Sequence, residues 1–554
     1  MNRILLIFIY LFSLTSFGQS FYLKITGEND QQTKVIDSIN YSNSFSNTKS
    51  IFEETKLFNE KLLKTGYLEQ KLIENKKLND STFLYQYYIG KKTKFIHIYI
   101  GLNFDLKYWN LYEVKKDTLI VPFFESEAFL NATLKNLETK GFAMSKVKLV
   151  NIKKYSDYIT ADLNVSSDKK RQLNDIVING YDKFPMGHKN NLKRLYKKRV
   201  FNQDNLDKLY KDITQYRFVK QTKYPEILFT KDSTKIFVYV EKAKANNFDG
   251  FIGFSNDEKN KVIFNGYLDL TLTNTLNVGE KMALYWKSNG KDQKTFNLGV
   301  EIPYVFNSPV GLKTQLNIFK QDSTYQNTQT AIDLGYYFNY NTRLYLGYQS
   351  AESSDIKNKN TTTLSDYKNK FYTSNFEFVN YKNDDFLFPE KSNFNIKIGT
   401  GKRDSKFQKN TQFFGSINLK HNIYLNTKNI INIKSQNFYL QSEEYIVNEL
   451  YRFGGINSIR GFNENTLQGN VFASILSEYR YVLSPSIYVH SIMDYAYFQD
   501  KTTNLSGNLI GLGFGFGILT KNGLLNLVYA NGSTKDQAIK LSNSIVHISL
   551  KATF

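Results

Sequence analysis

The chain has 554 residues, a formal net charge of +21, no cysteine, and 16% aromatic residues, with 40 Tyr and 44 Phe against 2 Trp. That composition excludes disulfide staples and thiolate metal sites, and the 5 scattered His form no zinc cluster. Mean hydropathy is −0.43, and after the first residues no apolar run approaches the roughly 18 that a spanning helix needs, which excludes a helical membrane protein but not a barrel with alternating strands.

The positive balance fits contact with anionic lipid or nucleic acid. A coding bias toward Lys, Asn, Ile, Tyr and Phe accounts for it more simply, and no nucleic-acid partner is assigned. Residues 1–18 read as a signal peptide. Arg3 supplies the positive start, Ile4 to Phe12 an apolar run too short to span, and Ser16-Phe17-Gly18 small residues for cleavage. The mature chain is then expected to begin near Gln19. With no cysteine following, it is no lipoprotein.

From about 20 to 246, helical and strand patterns mix. Leu62-Leu63-Lys64-Thr65-Gly66-Tyr67 returns as Leu137-Glu138-Thr139-Lys140-Gly141-Phe142, and more weakly as Ile213-Thr214-Gln215-Tyr216-Arg217-Phe218 without the glycine. A spacing of about 75 residues predicts three stacked modules: 19–94, 95–170 and 171–246. The boundary between the first two falls around Phe95–Gly101. In the third, a strand at Asp175–Gly180 precedes a helix from about Lys189 to Arg199. A second helix follows Asn202, a good N-cap, with Leu206, Leu209, Ile213 and Tyr216 on one face. Strands at 226–230 and 235–241 close it. The second module closes on Ile159–Val165.

From Asn247 to Phe554 sixteen strand segments can be laid out at about 19 residues per strand and turn, enough for spanning strands of about 9–11 residues. Val262, Phe264, Leu268, Leu270 and Leu272 alternate with polar residues, and Ile510, Leu512, Phe514, Phe516 and Ile518 alternate with glycines. The apolar set suits lipid and the polar or small set a lumen. In the last strand Ile548, Leu550, Ala552 and Phe554 share one face. A barrel closed by its first strand (248–254) and last (544–554) has one seam, and Ser544, Ser549, Gly250 and Gly253 reinforce it poorly.

One stretch in this half is loop-like: Arg452-Phe453-Gly454-Gly455-Ile456-Asn457-Ser458-Ile459-Arg460-Gly461-Phe462. Gly454, Gly455 and Gly461 permit turns, and a guanidinium on the tip seeks a carboxylate. Two acids follow on the expected lumen parity. Glu478 lies opposite Tyr479 and Tyr481 in face, and Asp494 opposite Met493 and Tyr495.

Ile459-Arg460-Gly461-Phe462 behind a Gly-Gly pair resembles the lumen-loop signature of the outer-membrane assembly-factor superfamily, the BamA/TamA-like bacterial surface antigen type. Glu478 in Glu-Tyr-Arg and Asp494 in Ile-Met-Asp-Tyr-Ala resemble the acids that receive that arginine, although Ile492 and Ala496 stand where the family has Phe and Gly. Ile548, Leu550 and Phe554 resemble its C-terminal barrel signal, with Ser549 in place of Gly. Asp385–Pro389 and Thr520–Gly523 resemble two family turns, each with one substitution. The third module's order of strand, helix, helix, strand, strand resembles a POTRA (polypeptide-transport-associated) module.

The resemblance implies α+β POTRA-like modules in the periplasm followed by an all-β, 16-stranded outer-membrane barrel. It implies insertion or translocation of client polypeptides, with Arg460 folded into the lumen against Asp494 and Glu478. The alternatives are a dedicated two-partner-type secretion translocator and a passive porin with a stalk. Implied partners are outer-membrane lipids, unfolded outer-membrane or secreted clients, and a periplasm-spanning or lipoprotein partner. No cofactor, metal or catalytic residue is assigned, and no enzyme is expected.

Overall fold

The computed structural model describes residues 20–101, 113–115, 117–167, 169–256, 262–289, 293–382, 384–521, 523–535 and 544–554. Residues 1–18, read above as a signal peptide, lie outside this set, as does Asn522 of the Thr520–Gly523 turn. Two compact units are formed, Met1–Arg171 with Val200–Gln203, and Gln172–Arg199 with Asp204–Phe554.

The first unit holds two small sheets. Strand β1 (Phe21–Gly27), helix α1 (Asp30–Ser38), β2 (Ser44–Phe45), helix α2 (Thr48–Lys64), β3 (Lys71–Lys77) and β4 (Thr82–Tyr88) make a sheet in the order β2-β1-β4-β3. Asn29 and Asn47 cap the two helices by accepting from Gln32 N and Ser50 N, each at 2.9 Å. Ile36, Ile51, Phe58 and Leu62 from the helices pack on Leu23 and Ile25 of β1. The second sheet takes β5 (Phe95–Tyr99), β6 (Glu113–Lys115), β7 (Thr118–Pro122), β8 (Lys146–Lys154) and β9 (Tyr158–Ser166) in the order β6-β7-β5-β9-β8, with helix α3 (Ser126–Thr139) placing Phe129 in its core. β5 pairs antiparallel with β7 and parallel with β9. The ambiguous Phe95–Tyr99 segment therefore opens the second sheet rather than closing the first.

The repeated sequence signal has a local cause. At the end of α2, Tyr67 N donates to Leu62 O at 2.9 Å and Gly66 N to Leu63 O at 3.1 Å. At the end of α3, Phe142 N donates to Leu137 O at 2.9 Å and Gly141 N to Glu138 O at 2.8 Å. Both glycines are left-handed, at φ +105° and +98°. These are two Schellman caps, in which a residue lacking Cβ turns the chain back over the last carbonyls. The third copy lacks the glycine, and its helix ends instead with Tyr216 N on Ile213 O at 3.1 Å.

The second unit begins with β10 (Asp175–Asn179), α4 (Met186–Tyr196), α5 (Gln203–Thr214), β11 (Val219–Phe229) and β12 (Thr234–Lys242), in a sheet ordered β10-β12-β11. Helix α4 starts and stops three residues earlier than the sequence pattern suggests. Pro185 stands at its N-cap, where a missing N–H costs nothing, and Lys198 at φ +70° has already left the helix. The barrel strands are β13 (Asn247–Asn256), β14 (Val262–Thr273), β15 (Lys281–Asn289), β16 (Gln293–Ile302), β17 (Val310–Gln321), β18 (Tyr325–Tyr337), β19 (Thr342–Asp355), β20 (Tyr367–Tyr381), β21 (Glu390–Ser405), β22 (Lys409–Tyr424) and β23 (Asn429–Gln441). A small hairpin, β24 (Tyr451–Phe453) with β25 (Leu467–Gly469), interrupts the series. Then come β26 (Val471–Ser484), β27 (Ile487–Asp500), β28 (Leu505–Thr520), β29 (Gly523–Thr534) and β30 (Ile545–Thr553). Sixteen strands, all but the hairpin pair, form one closed antiparallel barrel.

Period two governs both faces. On β27, Tyr488, His490, Ile492, Asp494 and Ala496 are buried, while Val489, Met493, Tyr495 and Tyr497 are exposed. Closure is uneven. β29 pairs with β30 from Gly523–Ala552 to Ala530–Ile545, whereas among the described residues β13 pairs with β30 at Asn247–Thr553 and Phe248–Ala552 alone. One residue on, Leu550 N points to the Asp249 side chain at 3.4 Å instead of continuing the ladder.

The third sheet and its helices are seated on the barrel's short turns. Arg194 donates to Tyr337 O at 3.1 Å and Asn191 to Ser308 O at 3.2 Å. Gln215 bonds both backbone groups of Tyr381, donating at 3.1 Å and accepting at 2.8 Å. His188 is fully buried among Tyr216, Phe218, Tyr304 and Tyr340. Neither of its ring nitrogens has a hydrogen-bond partner among the described residues. Burial without a partner penalises the imidazolium and pushes its pKa down from 6.5 to about 3.

Between pH 6.5 and 3 the unfolded chain therefore binds a proton that the folded chain refuses, so stability from this site is complete above 6.5 and falls as pH drops toward 3. His188→Phe is expected to flatten the loss of α4–α5 thermal stability between pH 7 and 4, followed by circular dichroism. A wild-type slope in the variant would show that His188 does not cause it.

Candidate functional site

The hairpin β24–β25 carries the glycine-rich loop into the barrel. Ile459 is completely buried against Phe453, Phe472, Leu476, Ala496 and Leu509. That apolar contact fixes the next residue, Arg460, which is 4% exposed. Its Nε donates to Asp494 Oδ2 at 2.7 Å, its backbone N reaches the same oxygen at 3.0 Å, and Nη2 pairs with Asp494 Oδ1. Nη1 pairs with Glu478 Oε1. The fork of one guanidinium is thus divided between two carboxylates, one of them held bidentately.

Glu478 is shared in turn. Its Oε2 accepts from Arg480 Nε at 2.7 Å, and Arg480 Nη1 donates to Asn422 Oδ1 at 3.1 Å while its plane lies 4.4 Å over Phe388. Two arginines are thus paired with two acids, and that pairing offsets the cost of holding the charges away from water.

The wall is shaped for the loop. Gly461 takes φ +85°, and a Cβ there would lie 2.3 Å from Asn531 C. From the wall side, a Cβ on Gly511 would meet Arg460 O at 2.4 Å and one on Gly532 would meet Gly461 O at 2.5 Å. The absence of side chains at Gly511 and Gly532 is thus the socket itself. Phe462 lies over Gly532, and Gly454 and Gly455 turn the loop back toward Asn463 and Glu464.

The loop's far end is fastened as well, at residues that carry no motif. Glu464 pairs with Lys287 and accepts from Tyr285 at 3.2 Å, both on β15, and Gln293 of β16 donates to Asn465 O at 3.4 Å. Arg452 donates to Tyr325 OH at 2.9 Å. Arg403 and Glu449 form a second buried ion pair, with Gln412 donating to Glu449 at 2.8 Å. The signal for these was strand parity, since Tyr285 and Lys287 share the face opposite Trp286. At the terminus, Ile548, Leu550 and Phe554 are exposed on the outward face of the barrel. In the turn after β20, Asp385 accepts from Phe388 N at 2.9 Å and Tyr424 OH at 2.8 Å.

A closed sixteen-stranded barrel with an apolar outer face, a charged loop inside it and α/β modules resembling POTRA domains before it defines a bacterial outer-membrane protein of the modular, plugged-barrel class. Residues 274–542 match the Omp85 superfamily domain, which supports an Omp85-family outer-membrane protein. CdiB from Acinetobacter baumannii is similar in structure at TM-score 0.51 and 13% identity, over 94% of this chain and 99% of that one. CdiB from Escherichia coli gives 0.51 and 12%, over 94% and 98%. BamA from Haemophilus ducreyi lacking POTRA domains 1–3 gives 0.46 and 15%, over 78% and 93%. No curated protein sequence matches the chain. Omp85 relatives are transporters or assembly factors that act on protein clients.

Arg460→Ala strands the buried Asp494 carboxylate and leaves Glu478 to Arg480 alone; it is expected to cost about 3 kcal/mol, seen as a lower temperature for the folded-to-unfolded mobility shift on unboiled gels. Arg460→Lys keeps the charge but not the fork and should fall between. Gly532→Val should expel the loop without touching any charge. Wild-type melting in all three would show that the loop does not stabilise the barrel.

Proposed function

We propose that this protein is an outer-membrane assembly factor that receives unfolded polypeptides on its periplasmic modules and inserts or translocates them at the barrel. The observation that carries this reading is the short β13–β30 seam. Elsewhere each barrel strand is paired along most of its length, but here the ladder stops at Phe248–Ala552. Unpaired N–H and C=O groups of β13 and β30 are a template for an incoming strand. Such work needs no bond-making chemistry, and the reading assigns no catalysis. Outer-membrane lipid surrounds the outward face, and a periplasm-spanning or lipoprotein partner would deliver clients to the modules.

The second reading is a dedicated translocator for one or a few proteins. It draws support from the match in fold to the CdiB structures over nearly the full length of both chains. In this reading the loop is a plug in the exit path, and the client passes through the lumen instead of the seam.

The chain has no cysteine, so a disulfide can be placed at will. Phe248→Cys with Ala552→Cys should, when oxidised, leave the barrel folded and halt assembly, with activity restored by reductant. Full activity of the oxidised form excludes a working seam. Depletion of the protein, followed by quantification of the outer-membrane proteome, separates the readings. Loss of many unrelated barrels marks a general factor, and loss of a single surface or secreted protein marks a dedicated translocator.

A further inference from the structure

The outer wall carries a charge pattern that the lumen site does not use. Lys294 of β16 lies directly opposite Lys320 of β17, and Lys370 of β20 directly opposite Lys402 of β21. All four point away from the lumen. Their neighbours fix the parity: Lys313 and Glu377 pair with each other inside the barrel, Asn369 and Phe371 flanking Lys370 are buried, and Arg403 beside Lys402 is the buried partner of Glu449.

All four also lie near the strand ends remote from the third module, at the extracellular rim. Each pair sits just above the apolar belt. Phe296 and Ile318, opposite one another, follow Lys294 and Lys320 by one outward step. Tyr372 follows Lys370 and stands edge-on to Tyr348 with ring centroids 5.9 Å apart. On β21, Ile398 is exposed two outward steps below Lys402.

Nearby lysines are neutralised, Lys368 by Glu352 and Lys409 by Asp404 at 3.0 Å. Among the described residues, Lys294, Lys320, Lys370 and Lys402 have no such carboxylate. Like charges directly opposite on adjacent strands destabilise a sheet, and an anion held between two ammonium groups reverses the sign of that interaction. Ammonium groups at the upper edge of an apolar wall reach into the headgroup layer while their stems stay on the wall.

We propose that Lys294–Lys320 and Lys370–Lys402 are two binding sites for phosphorylated headgroups of outer-leaflet lipids, whose acyl chains lie on the aromatic and aliphatic belt below. The pairs are four strands apart, about 19 Å at normal strand spacing, so each takes its own phosphate. In barrel order Lys370–Lys402 lies opposite the β13–β30 seam and Lys294–Lys320 a quarter of the way round from it. On β26 to β28, about as far from the seam on its other side as β16 and β17, the outward positions at that end are Val471, Ala473, Tyr497, Gln499, Ser506 and Asn508, all uncharged. Lipid is thus tied by charge over β16 to β21 and only by apolar contact over β26 to β28.

The test is native mass spectrometry of the full chain in detergent, titrated with bis-phosphorylated lipid A, with the same lipid stripped of phosphate, and with inorganic phosphate. Wild type should bind the phosphorylated lipid and not the stripped form. Each lysine near the surface is expected to contribute about fivefold in affinity. Lys370→Gln with Lys402→Gln should therefore weaken one site about 30-fold, and adding Lys294→Gln with Lys320→Gln should remove both, with unchanged heat-shifted mobility as the control for folding. Equal binding of stripped lipid, or unchanged affinity in the fourfold variant, overturns the proposal. Displacement by millimolar inorganic phosphate overturns it too, by showing a free-anion site. If the fourfold variant does not fold, the comparison of the two lipids on wild type decides alone.

Discussion

A barrel wall in lipid can leave no backbone N–H or C=O unpaired, and this one requirement orders the whole second unit. Fifteen of the sixteen strand junctions meet it with long registers. The sixteenth, between β13 and β30, meets it over Asn247–Thr553 and Phe248–Ala552, with Asn246 and Phe554 exchanging backbone bonds at 3.3 and 3.0 Å beyond. Everything in the lumen is arranged around a wall that is continuous except there.

The loop makes up in side-chain bonds what the seam lacks in backbone bonds. Its Arg460 end is held on β26 and β27, and its Glu464 end on β15. In barrel order these anchors lie on opposite sides of the β30–β13 junction. The loop is therefore a strap across the inside of the seam, with three residues of chain between its two ionic fastenings. Separating β13 from β30 draws β15 away from β27 and loads both. In the first fastening Arg460 and Arg480 are matched to Glu478 and Asp494. Release of one arginine leaves carboxylates facing each other in a confined space.

Much of this was legible in the chain because the dominant patterns are local. Alternation along Ile510–Ile518 shows in sequence which face meets lipid, since the period-two rule needs no knowledge of neighbours. The same rule put Glu478 and Asp494 on the lumen side, and the structure brings both to Arg460. The two helix-end glycines, Gly66 and Gly141, were visible because a Schellman cap demands a residue without Cβ. Where a cap took another form, at Ile213–Phe218, the repeat faded. What could not be read was non-local. Nothing near Lys287 announces Glu464, which is 177 residues away. The strand at Phe95–Tyr99 fits either sheet by pattern, and only pairing with β7 and β9 assigns it. Seam length is likewise a matter of register between the two ends of the barrel.

The third module shows why the division of the chain by sequence repeats differs from its division by contacts. By sequence the modules are three of a kind. By packing, the third goes with the barrel: His188 fills an aromatic box built half from α4 and the residues after α5, and half from barrel turns, and Gln215 completes the backbone bonds of Tyr381. A side chain that satisfies another element's main chain cannot leave without exposing it, so this module moves with the wall. Strain applied through it reaches the short turns of β14 to β21, a half of the barrel that begins one strand from the seam. A force that tilts those strands changes the barrel's circumference at its weakest junction, which is the one closed by the loop.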